Sequence, residues 1–247
     1  MMNNNSTVLN KKNIFGLIIG LILGGILFYA GVFNTFKFIV ALGALRFMLH
    51  KPINAIMIYV LAIPIVSDFT IVVLACLVIG IYILDYIKKG NFQLNYTPAN
   101  IPIMIFTMCI ITGTIFSVTM IGSMRDFLVN ILSIIILILF VNNSHDEEEL
   151  VLVSKSFVFA AVLMCFFGLY QFKTGVAMGS GWVDPSQNPD IKTRIFATFE
   201  NPNIFAEYLI MILPLGISLL FRKEESGFNR LAYMGCILII GLNILLT

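Results

Sequence analysis

Long apolar runs separated by short polar breaks set the pattern of this chain, and each run reads as a membrane helix. A polar stretch, MMNNNSTVLNKKN, precedes an uncharged run over residues 14–33, which is long enough to cross a bilayer core of ~30 Å. A secretory signal has a shorter apolar core and a small-residue cleavage site, so this run is expected to stay as a first span, with residues 1–13 a disordered cytoplasmic tail. Further runs cover residues 36–49, 53–66, 69–87, 101–118, 127–141, 150–172 and 204–221, and a ninth begins at Leu231. The breaks are of three kinds: tight turns at Ser67–Asp68 and Arg125–Asp126, polar loops at 90–99 and 173–200, and the acidic connector NNSHDEEE at 142–149. The architecture predicted is all-α, a polytopic transmembrane bundle of about nine spans occupying residues 14–247.

The longest break ends where WVDPSQNPDIKTRIFATFENPNIFAEYLIMILP turns from loop to apolar run. A residue before proline is biased away from helix and proline suits the first helical position, so a helix is predicted to start at Asn201 and Pro202. Pro214 interrupts the same run and is expected to kink it unless neighbouring groups satisfy the freed carbonyl.

Composition agrees. The chain has 247 residues, of which 59% are hydrophobic and 11% charged, and its mean hydropathy is +0.98; ordinary soluble domains carry about a quarter charged residues. The net charge of +2 and the scatter of basic residues between apolar runs exclude a nucleic-acid stripe. Cys76, Cys109, Cys165 and Cys236 lie inside apolar runs with no CxxC pair, which points to packed hydrophobes and to neither disulfides nor zinc.

Alternating nine spans from an internal N-terminus places Lys11, Lys12, Arg46, Lys51, Lys88, Lys89, Lys155, Arg222, Lys223 and Arg230 on the cytoplasmic side. Lys37, Arg125, Lys173, Lys192 and Arg194 fall outside. Ten against five satisfies the positive-inside rule and turns the loop 173–200 outward.

That loop holds the candidate chemistry. Arg194 presents a permanently charged planar fork suited to phosphate or pyrophosphate, a few residues before a helix start whose unpaired N–H groups favour anions. An ion pair with Glu200 or Asp190, or attraction to lipid headgroups, is the competing reading. Asn201 and Asn203 serve as helix cap and first-turn hydrogen bonders, or present amides to a ligand. Glu207 shares a helical face with Asn203 and is costly inside a bilayer unless it meets a polar cavity, Thr198 and Trp182 being its possible companions; an interfacial position is the alternative. Trp182 reads first as an interfacial anchor and second as a platform for a sugar ring. Asp184 and Asp190 sit among turn formers. His50 and His145 belong to the cytoplasmic side, and no nucleophile elbow, phosphate loop, HExxH or dinucleotide turn is present.

The residues GLYQFKTG at 168–175, then WVDP, then KTRIFATFENPNIFAEYLIMILPL, resemble the O-antigen ligase and polymerase superfamily. There a span leads to an outward loop with an Arg, then a Thr, then N-P-N opening the next span, matched here by Arg194, Thr198, Asn201, Pro202 and Asn203. The resemblance implies a membrane part like that of a GT-C-like glycosyltransferase. It implies transfer of an oligosaccharide from undecaprenyl pyrophosphate to a glycan or lipid acceptor on the outer face of the cytoplasmic membrane, with no nucleotide sugar, cofactor or metal. Arg194 would then steady the donor pyrophosphate. Family members carry a later Arg motif and a large outward loop with a His; neither appears before Thr247, so this chain is expected to be the N-terminal portion of a longer protein, with no catalytic residue of its own and no activity alone. A multi-spanning transporter of a small anion or lipid-linked sugar is the alternative, since charges beside a proline-interrupted helix also suit a transport path.

Overall fold

The computed structural model describes residues 11–90, 97–144, 146–175 and 194–247. Among them every regular element is a helix. Among the described residues five helices are long and apolar enough to cross a membrane: Asp68–Lys89, Met120–Asn143, Glu147–Thr174, Pro202–Phe221 and Gly227–Leu246.

Two compact units divide the chain, Met1–Phe47 and Met48–Thr247. The first is dominated by α1 (Lys11–Met48), two helical stretches joined across a break. Its break falls at Gly31, whose φ of 76° and ψ of 166° belong to a region open essentially to glycine alone. The Thr35 hydroxyl donates to the Gly31 carbonyl at 2.9 Å.

The second unit contains α2 (Pro52–Ala62), α3 (Asp68–Lys89), α4 (Asn100–Ile115), α5 (Met120–Asn143), α6 (Glu147–Thr174), α7 (Pro202–Phe221) and α8 (Gly227–Leu246). Among the described residues eight helical elements, α1 being broken at Gly31, stand where nine spans were expected. α2 is shorter than the 53–66 run because Pro64 brings no N–H to continue it; its 11 residues reach only ~16 Å. α4 is likewise short, at 16 residues. α5 begins earlier than the apolar run: the turn moves back to Ser117–Thr119, where the Ser117 and Ser123 hydroxyls meet at 2.6 Å, and Arg125 joins the helix and pairs with Asp68 at the start of α3. Glu147, Glu148 and Glu149, expected in a connector, form the first turn of α6, where carboxylates complement the helix dipole. α7 runs on through Pro214 as one helix.

Two apolar clusters hold this unit. One joins α2, α3 and α5 through Ile56, Val60, Ala75, Val78 and Ile136; the other joins α6, α7 and α8 through Val158, Cys165, Phe205, Leu209 and Ile240. Large apolar side chains such as Phe69, Met211, Phe228 and Leu238 face outward, as a lipid-facing surface requires.

The unit has two ends. The starts of α3 and α5 meet at the Asp68–Arg125 pair, and the segment before α7 bonds to Pro64 and to Leu246. At the other end, Arg222 after α7 faces Glu147 at the start of α6 at 3.6 Å, and Lys155 binds Glu225 at 2.6 Å.

Candidate functional site

The segment from Arg194 to Asn201 is irregular yet closely held. Gln171, near the end of α6, clamps it with both halves of its carboxamide. Its Nε2 donates to the Ala197 carbonyl at 2.9 Å, and its Oε1 accepts from the N–H groups of Phe196 at 3.1 Å and Ala197 at 2.8 Å. The Ile195 N–H donates to the Leu246 carbonyl of α8 at 3.1 Å. The Thr198 hydroxyl donates to the Pro64 carbonyl, with the Met164 sulfur 3.3 Å away. Ile195 and Ala197 are buried, and Phe199 stacks on Phe205 with ring centroids at 5.7 Å and meets Tyr208 at a tilt with centroids at 4.9 Å. These contacts hold Ala197 and Glu200 at φ of 48° and 59°, left-handed values that cost a residue with a side chain of order 1–3 kcal/mol each.

The segment delivers the chain to α7. Asn201 takes the extended conformation of a cap, and its Oδ1 accepts from the Asn203 N–H at 2.8 Å; Pro202 occupies the first helical position. The predicted helix start is where the helix starts. Capping also limits the site: Pro202 has no N–H and that of Asn203 is taken, leaving the Ile204 N–H as the first-turn donor without a partner among the described residues.

Arg194 is half-buried against this helix start. Its Nη2 donates to Asn203 Oδ1 at 3.1 Å and its Nε to the Thr247 carbonyl. No ion pair joins it to Glu200 among the described residues. Among the described residues neither its Nη1 nor Nδ2 of Asn203 has a partner, and with the Ile204 N–H they are the donors left at this end of the unit.

The other expected site residues are dispersed. Thr198 is committed to Pro64. Glu207 is exposed on the Asn203 face of α7, with no partner among the described residues and no bond to Thr198. Trp182, Asp184, Asp190, Lys192 and His145 lie outside the described residues. Among those described, no three His, Cys, Asp or Glu residues are grouped to hold a metal.

Sequence reasoning gave no individual role to Gly168, Gln171 or Asn243. A Cβ at Gly168 would lie 2.7 Å from Asn243 Oδ1, 3.0 Å from Ile195 Cδ1 and 3.2 Å from Phe205 Cε1, so glycine lets α6, α8 and the 194–201 segment close together. Asn243 is fully buried; its Nδ2 donates to the Ile239 carbonyl at 2.8 Å while its Oδ1 has no hydrogen-bond partner. The available signal was polarity: Gln171 and Asn243 are isolated amides in apolar helices, and a buried amide is ordinarily tied to something.

No family model matches the chain, and no curated protein or solved structure does either, so the resemblance to the ligase and polymerase superfamily, and with it the likeness to GT-C-like enzymes, rests on the quoted residues alone.

Proposed function

We propose that Arg194 and the beginning of α7 hold the phosphate of a lipid-linked donor, and that the protein belongs to the machinery that moves a glycan from undecaprenyl pyrophosphate to an acceptor outside the cytoplasmic membrane. The observation that carries this reading is the guanidinium of Arg194 held at 3.1 Å on Asn203, with Nη1, the Asn203 amide and the Ile204 N–H meeting no other partner among the described residues. As the glycosyl–phosphate bond breaks, negative charge grows on the pyrophosphate oxygens, and donors already in place stabilise it without reorganising.

Charge supports the orientation. Lys51, Lys88, Lys89, Lys155, Arg222, Lys223 and Arg230 lie toward one end of the second unit, against Arg125, Lys173 and Arg194 toward the other. Seven against three supports a cytoplasmic first end and an outward-facing Arg194; the internal N-terminus expected from the sequence is kept as part of the proposal. The test is carrier-linked glycan transfer in membranes. Arg194→Ala is expected to cut transfer by about 10²–10³, the loss typical of removing one charge-stabilising donor, and Arg194→Lys to restore only part. Full activity of Arg194→Ala, or labelling of Thr198→Cys by a membrane-impermeant thiol reagent only from the cytoplasmic side, would overturn the reading.

A further inference from the structure

We propose that Asn243 is a positioning residue for Arg194: its carboxamide, packed on the bare backbone of Gly168, sets the separation of α8 from α6 at which the last carbonyls of α8 reach the segment before α7. The positioning follows from packing alone, and its consequence for phosphate rests on the function proposed for Arg194.

Stability does not account for Asn243. It is fully buried, its Nδ2 donates at 2.8 Å to the Ile239 carbonyl, which the helix already engages, and its Oδ1 has no partner among the described residues. A buried acceptor without a donor costs free energy that an apolar side chain of similar bulk avoids. What the amide supplies is its flat shape. A Cβ on Gly168 would lie 2.7 Å from Asn243 Oδ1 and 3.0 Å from Ile195 Cδ1, so α6 offers bare backbone and Asn243 and Ile195 close on it together. Leucine at 243 would press branched methyl groups on that backbone, and α8 would stand back from α6.

The contact lies one helical turn from the bonds it governs. Asn243, Leu246 and Thr247 share a face of α8, as Gly168 and Gln171 share a face of α6. The Leu246 carbonyl accepts the Ile195 N–H at 3.1 Å, the Thr247 carbonyl accepts from Arg194 Nε, and Gln171 holds Phe196 and Ala197. Residues 194–197 therefore bridge the two helices one turn beyond Gly168 and Asn243. Bonds from N–H to O lie mostly within about 3.2 Å, so the Ile195 bond has little slack. A withdrawal of α8 by a few tenths of an ångström carries it past that range, and Arg194 is then held by Asn203 alone.

The test compares the unaltered protein with Asn243→Leu, which forces the helices apart, and Asn243→Ala, which removes the spacer without any clash. Hydrogen exchange of the Ile195, Phe196 and Ala197 amides, read by mass spectrometry with fragmentation, is expected to quicken about tenfold in both, the loss of roughly one hydrogen bond. Amides in the cluster of α2, α3 and α5, such as those of Val78 and Ile136, should keep their rates. The dissociation constant for inorganic pyrophosphate, measured by calorimetry, should rise by a similar factor. An asparagine that only fills space predicts otherwise. Unchanged protection of residues 195–197 in either variant, or loss of protection in equal measure at Val78 and Ile136, would overturn the proposal. Faster local exchange with unchanged pyrophosphate binding would uphold the positioning and count against Arg194 as the phosphate ligand.

Discussion

Gln171 meets Ala197 as one peptide group meets another: its Nε2 donates to the Ala197 carbonyl at 2.9 Å and its Oε1 accepts the Ala197 N–H at 2.8 Å. A side chain of α6 thus supplies what a neighbouring strand would otherwise give, and a segment without regular structure keeps its buried backbone paired. Gln171→Leu has similar bulk and neither bond. It should cost about 1–3 kcal/mol for each buried group left unpaired, read as a fall in thermal midpoint in detergent, and Arg194 should lose its setting along with it.

Gly168 should resist enlargement. Gly168→Ala pushes a methyl to 2.7 Å from Asn243 Oδ1, an overpacking expected to cost about 1–3 kcal/mol. Gly235, on α8, has nothing within 4 Å of the same added atom, so Gly235→Ala should be neutral or stabilising by up to about 1 kcal/mol. Adding Asn243→Ala to Gly168→Ala should recover part of the loss, measured as a coupling in a double-mutant cycle.

Asn201 separates folding from binding. Asn201→Ala removes the cap bond to the Asn203 N–H and should cost about 1 kcal/mol. Asn201→Asp keeps an accepting oxygen and should preserve stability, yet it sets a negative charge beside the donors of Arg194. Phosphate or pyrophosphate binding, followed by calorimetry, should weaken in Asn201→Asp while the unfolding temperature holds.

Acid should loosen the turn between α7 and α8. Glu225 is only 6% exposed in its side chain, accepts from Asn229 at 2.6 Å and from the Tyr233 hydroxyl at 3.3 Å, and is held below its ordinary pKa of 4.5 first by the hydrogen bond from Lys155, then by that from Asn229. A carboxylate that binds protons less readily when folded stabilises the fold above its unfolded pKa, and that stability drains away as pH falls through the lower folded value. Thermal midpoints should therefore drop below about pH 4.5, and Glu225→Gln should flatten that part of the profile.

Where helices lie was readable from the chain, because the length of an apolar run is a local property. Asn201 and Pro202 carry their own start signal, and the helix starts there. The breaks between runs were misplaced where local composition is silent: the runs 14–33 and 36–49 put the first break at Asn34–Thr35, but the backbone turns at Gly31, the residue that tolerates the required angles. Pro64 shortened α2, and hydroxyls at Ser117 and Ser123 moved the next turn. Arg194 and the helix start could be named from sequence because they are close along the chain. Gln171, Gly168 and Asn243 could not, since what they touch is set by how α6 and α8 cross.

The bond from Ile195 to the Leu246 carbonyl also bears on the order of assembly. A ribosome delivers α6 and the loop well before α8, so for that interval the guanidinium end of the molecule lacks one of its walls. Insertion of α8 is then the event that sets Arg194 in place, and if Arg194 holds phosphate as proposed, a nascent chain stalled before α8 should be unable to bind it there, however complete its earlier helices.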